Sequence, residues 1–173
     1  MASMFSPIQY VFIAAIVLYL LDSIWEVGSI FNPNRFSKRL ADYFILTGLA
    51  IHCAFLITLS SQSGTLPIST LFESSTFYLS LIVLLSVILK FLYRLQSLTP
   101  FVMPIVTGFS IAAVTLVKND LALTADLKTF WLFAHIIPIF LGYASFTVSF
   151  IFSIMYLTME RQLKKKSFGP LFE

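Results

Sequence analysis

The stretch from Phe130 to Met159 reads FWLFAHIIPIFLGYASFTVSFIFSIMYLTM and contains no Asp, Glu, Lys or Arg. About 20 apolar residues cross the hydrocarbon core of a bilayer as an α-helix, and this run exceeds that length. Apolar side chains occupy every face of it, so it lacks the alternation of a membrane β-strand. Uncharged runs recur upstream: from Met1 to Asp22, between Asp42 and Glu73, between Glu73 and Lys90, and between Arg94 and Lys118. The chain reads as all-α, a polytopic membrane bundle of five helices at Ile8–Gly28, Tyr43–Ser61, Ser75–Tyr93, Thr99–Val117 and Phe130–Met159. Residues 1–173 form one domain.

Composition agrees. Hydrophobic residues make up 58% of the chain and charged residues 11%, against about 45–50% and about 25% in soluble globular proteins. The 11 basic and 8 acidic residues cannot cover a water-facing surface that must also hide 19 phenylalanines. A soluble enzyme, a nucleic-acid binder and a disordered tail are excluded, and nucleic acid is not expected as a partner. A single cysteine, Cys53, rules out a disulfide framework, a CxxC redox pair and a zinc cluster.

The first run resembles a secretory signal in hydrophobicity only. No basic residue precedes it and no small-x-small cleavage pattern follows it. Its basic residues come afterwards, at Arg35, Lys38 and Arg39. With the N-terminus outside, Arg35, Lys38, Arg39, Lys90, Arg94, Arg161, Lys164, Lys165 and Lys166 fall in the cytoplasm, and only Lys118 and Lys128 lie outside. That bias sets the expected topology: N-terminus external, C-terminus cytoplasmic. Gln62–Ser74 and Lys118–Thr129 are then external connections. Trp25 and Trp131 sit near the inner and outer edges, where indole rings anchor in the interface. The expected location is the inner (cytoplasmic) membrane, crossed several times.

Ionisable groups inside spans are functional candidates by default. Asp22 and Glu26 lie one turn apart near the inner end of the first helix, where they read as an interfacial acidic pair near Arg35, Lys38 and Arg39. The sharper alternative is a proton path, which needs a partner deeper in the membrane. Glu73 closely follows Ser69 at the start of the third helix, so helix capping competes with a functional role. The alternation of apolar and small residues around it suggests a segment lying on the outer membrane surface. His52 lies roughly 15 Å in from the inner end of the second helix, either packed against a neighbour or available as a ligand. His135 lies about one and a half turns into the fifth helix, roughly 8–10 Å below the external surface. Pro138 loosens the backbone bonds beside it, and Gly142, Ala144 and Ser145 offer small surfaces for close packing. A neutral imidazole there suits an axial iron ligand, with aromatic rings lining a porphyrin face; a packed histidine is the competing reading. The sequence contains no HExxH, GxSxG, Walker or dinucleotide motif, so a complete active site within this chain is not expected.

Two blocks carry a resemblance. The first is Leu66-Pro67-Ile68-Ser69-Thr70-Leu71-Phe72-Glu73-Ser74. The second runs from Trp131 through His135 to Tyr143 and on to the basic exit Glu160-Arg161-Gln162-Leu163-Lys164. In order and in sidedness they resemble the cytochrome c assembly protein family, haem-handling membrane proteins of the CcsA, CcmC and HemX type. The resemblance implies haem as cofactor and His135 as the external axial ligand to its iron. It implies cofactor-binding roles for Trp131, Glu73 and His52, the last shared with the HemX-like branch only. Implied partners are apocytochrome c and other cytochrome c maturation membrane proteins, besides the lipid bilayer. The family's tryptophan-rich loop and second external histidine have no counterpart here. The resemblance is therefore to the N-terminal part of a member, and a truncated, split or degenerate product is expected. Such a chain binds or relays haem at the external face, or forms part of a haem-attaching synthase. The alternatives are a HemX-like regulator of haem synthesis, acting through the tail Arg161–Glu173, and a structural or proton-relay subunit.

Overall fold

The computed structural model describes residues 7–32, 35–116 and 130–164. It is all helical: α1 (Pro7–Phe31), α2 (Lys38–Ser63), α3 (Leu71–Leu92), α4 (Thr99–Thr115) and α5 (Phe130–Lys164). Among the described residues there is no strand. Each helix sits where the uncharged runs place it. Six ends extend by one to five residues, because polar positions such as Lys38–Asp42 continue a helix beyond its uncharged run. Four helices are long and apolar enough to cross a membrane, and together the five form a helical membrane bundle. The fourth differs from expectation. It ends at Thr115, and its 17 residues give about 25 Å against a hydrocarbon core of about 30 Å. Val117 and the connection 118–129, with Lys118 and Lys128, lie outside the described residues, as do Lys165, Lys166 and the rest of the tail.

α1 packs most extensively on α2 and then on α4, while α3 contacts α4, α5 and α2. Consecutive helices alternate in direction up to α4, so α1 meets antiparallel neighbours in α2 and α4. In lipid there is little hydrophobic drive for helices to associate, and close packing and polar contacts decide the arrangement. Gly48 on α2 shows this. A Cβ there would lie 2.7 Å from the Tyr19 ring, so glycine is what lets α1 and α2 approach. Gly28 similarly leaves room for Phe36, whose ring meets Trp25 edge-on at 5.2 Å. Trp25 Nε1 also donates to the Ser37 carbonyl at 2.9 Å. This indole ties down the α1–α2 connection.

α5 is the outermost helix. Its buried stripe is Ala144, Val148 and Ile151, at helical spacing. Tyr78 of α3 shares a hydrogen bond with Thr147. Of the small residues expected to pack closely, Ala144 does so, while Gly142 faces open space and Ser145 is exposed. The stripe is set by the α3 contact and passes to one side of Gly142.

Among the described residues every Lys and Arg lies at one end of the bundle: Arg35, Lys38, Arg39, Lys90, Arg94, Arg161 and Lys164. This is the basic end. The opposite end carries the α2–α3 connection and the start of α5.

Candidate functional site

At the end opposite the basic one, the α2–α3 connection is stitched by its own side chains. Gly64 closes α2 in the left-handed region (φ 65°) and donates to Ser60, a conformation that favours glycine. Thr70 caps α3, its Oγ1 accepting from the Glu73 amide at 3.1 Å. Glu73 Oε2 reaches back to accept from the Ser69 amide at 2.8 Å, and Ser74 Oγ donates to the Ile68 carbonyl at 2.9 Å. This reciprocal arrangement satisfies helix-start donors in the manner of a capping box. The cap residue is Thr70, one position beyond the expected Ser69. Ile68 and Phe72 turn inward and are buried, so the segment plugs the end of the bundle. The reason is the helix start at Leu71, which swings Phe72 onto Phe12 and Phe55, with centroids 5.7 and 6.0 Å apart.

His52 lies beneath that plug. It is fully buried, with Nδ1 3.2 Å from the Tyr19 hydroxyl. The rings of Phe12, Tyr19 and Phe55 stand 5.1, 5.9 and 6.3 Å from its centroid. Its Nε2 is buried without a hydrogen-bond partner among the described residues.

His135 has a different setting. Phe77 and Phe140 meet at 5.5 Å, with α3 and α5 running in the same direction. Counting back five residues from each reaches Phe72 and His135, so His135 stands level with the plug segment. It is exposed, as are Trp131 (78%) and Ile139, one turn to either side. Residues at this spacing form one stripe. Below it, α4 and α5 barely touch, which leaves an apolar cleft of about 490 Å³ lined by residues such as Tyr78, Phe109 and Thr147.

The third polar feature is at the basic end, where Glu26 takes its partners from α3 and the start of α4. Glu26 is buried and accepts from Lys90 Nζ at 2.7 Å and from Thr99 Oγ1 at 2.8 Å. Lys90 also lies 2.7 Å from Asp42 Oδ1, a charge contact outside aligned hydrogen-bond geometry. Asp22, one turn along α1, is fully buried. Arg35 lies in the α1–α2 connection and Lys38 and Arg39 in the first turn of α2, whereas Lys90 of α3 contacts Glu26 directly. Lys90, Asp42 and Thr99 were not recognised as site residues from the sequence. Lys90 ends an uncharged run and counts equally well as an interfacial charge. The one signal was the one-turn spacing of Asp22 and Glu26, which puts both carboxyls on a single face.

The cytochrome c assembly protein family matches residues 68–172, more than half of the chain. The chain belongs to that family. The family match takes in part of the plug segment, α3, α4 and α5, with His135, and leaves α1 and α2 outside it. The chain is 26% identical over 169 residues to "Protein HemX" of Brevibacillus brevis, covering 96% of this chain and 61% of that protein. It is 27% identical over 158 residues to "Protein HemX" of Bacillus subtilis, covering 89% and 56%. It is 29% identical over 113 residues to "Cytochrome c biogenesis protein CcsA" of Heterosigma akashiwo, covering 61% and 35%. The chain thus spans about three-fifths of the length of the HemX relatives. No solved structure matches it.

Proposed function

We propose that this membrane protein binds or relays haem in cytochrome c biogenesis, at the membrane face where the plug segment lies, with His135 as an axial ligand. The observation that carries this reading is the exposed Trp131–His135–Ile139 stripe, which falls within the family-matched residues and stands level with the plug. The residues fit the cofactor. An exposed imidazole offers a nitrogen to iron, while the indole and the isoleucine supply apolar surface for a macrocycle. Haem, when bound, would supply the redox-active iron, with His135 offering it a nitrogen. The chain's part is to hold and orient it, since thioether bond formation requires the reduced cysteines of an apocytochrome partner. We assign Glu73 to capping the plug and His52 to fixing α1 against α2. Neither needs to touch the cofactor for His135 to do so.

Orientation follows from charge. The gathering of seven basic residues at one end supports a cytoplasmic basic end and an external plug, because cytoplasmic loops carry an excess of Lys and Arg. The inner membrane is the matching location.

The test is His135→Ala in the purified protein. Alanine keeps the helix, so insertion and abundance should match the parent protein while haem absorbance is lost or greatly reduced. Added imidazole should partly restore it by filling the vacated position. An unchanged haem spectrum in His135→Ala overturns the ligand assignment.

A regulatory role in haem synthesis is the second reading. It is favoured by the HemX relatives, which match 96% and 89% of this chain against 61% for CcsA. A soluble partner retained only when residues 161–173 are present would support it.

A further inference from the structure

Three carboxyl groups and one ammonium group gather at the basic end, all but Asp42 buried. Lys90 and Thr99 engage Glu26, and Lys90 also approaches Asp42. Asp22 is fully buried, and neither of its oxygens has a hydrogen-bond partner. The charged groups near enough to act on it are Glu26 on its own helix, Asp42 of α2 and Lys90 of α3. Tyr19 is the other titratable group on this face of α1, and His52 is the other one on the inner face of α2. α4 contributes none between Thr99 and Thr115. With every group ionised, Lys90 would pair with buried Glu26 and with partly exposed Asp42, leaving the Asp22 carboxylate uncompensated inside the bundle. A buried carboxylate without partners costs several kcal/mol, and such a group takes up a proton instead. A metal ion would need several converging ligands, and among the described residues no such group of three exists. A proton needs only one oxygen.

The cluster also reaches the surface. The Asp42 side chain is 32% exposed, and from it the contacts run inward to Lys90 and Glu26, one helical turn from Asp22. We propose that Asp22 binds a proton within the membrane-spanning bundle and exchanges it with water at the basic end through Glu26, Lys90 and Asp42. This site is separate from the His135 stripe and does not depend on haem binding there.

Infrared spectroscopy of the purified full chain in lipid nanodiscs tests this directly. At neutral pH the parent protein should show the carbonyl stretch of a buried, protonated carboxylic acid. Asp22→Asn, isosteric with the protonated acid, should fold normally by circular dichroism and lose that band. Asp22→Glu keeps an acid in place and should shift the band, a second readout should the asparagine variant fail to insert. Asp42→Asn should keep the band but slow its exchange on transfer to D2O. A parent spectrum without a protonated-acid band overturns the proposal, and so does a band that survives in Asp22→Asn or disappears in Glu26→Gln alone. An unchanged exchange rate in Asp42→Asn overturns the route.

Discussion

Tyr19 Oη lies 3.2 Å from His52 Nδ1, fully buried, and joins α1 to α2 about halfway along each helix. The contact depends on Gly48, because a methyl group there would collide with the Tyr19 ring. A buried polar group deprived of its partner costs about 1–3 kcal/mol. Tyr19→Phe should therefore lower the thermal unfolding midpoint in detergent, and Gly48→Ala should do the same by pushing the ring away. His52→Ala should lower stability further by opening a cavity in the aromatic cluster, while haem absorbance per folded molecule stays at the parent level. Loss of haem from folded His52→Ala would instead make His52 a ligand.

Lys90 and Glu26 are both almost completely buried, with side chains 5% and 7% exposed. Removing one member of such a pair strands the other and costs about 3–5 kcal/mol. Lys90→Met should be severely destabilised in denaturant unfolding. Adding Glu26→Gln should recover a substantial part of that loss, because the stranded charge disappears with it. A double variant no more stable than Lys90→Met would show that the lysine matters for something other than this pair.

The plug makes a separate test of capping against cofactor contact. Thr70→Ala removes the side-chain acceptor for the Glu73 amide and should cost about 1 kcal/mol, with faster amide exchange at Glu73. Glu73→Ala should speed exchange at Ser69, whose amide then loses its acceptor. Glu73→Gln keeps an acceptor oxygen and should behave like the parent in both stability and haem loading. If Glu73→Gln folds with parent exchange rates yet loses haem, the carboxylate touches the cofactor.

The helices were legible in the sequence because their signal is local: an uncharged run such as Phe130–Met159 needs no knowledge of its neighbours. Capping at Glu73 was half legible for the same reason, since donor and acceptor lie within four residues. The buried cluster was not. Glu26 and Lys90 are 64 positions apart, and nothing in either helix says that their ends converge. A lysine at a helix end reads equally well as a surface charge or as a buried partner, and only the packing of α1 against α4 and of α3 against α4 decides which. His52 and His135 show the same limit from the other side. Both are histidines in apolar helices, and the structure encloses one in aromatic rings while leaving the other open.

Sidedness can be read by cysteine labelling, with the one native thiol, Cys53, first changed to Ser. Ser63 lies at the plug end of α2 and Ser97 in the α3–α4 connection at the basic end, and both are exposed. In intact cells stripped of their outer barrier, Ser63→Cys should react with a membrane-impermeant maleimide. Ser97→Cys should react only after the membrane is broken. The expectation rests on the seven basic residues around Ser97's end of the bundle, since translocating such a cluster is disfavoured. It also bears on chemistry. His135 stands at Ser63's end, and Asp42 opens at Ser97's. Labelling in the reverse order would put the His135 stripe in the cytoplasm, where haem could be received but not presented to an external apocytochrome. The role in cytochrome c maturation would then fall, and the regulatory reading would take its place.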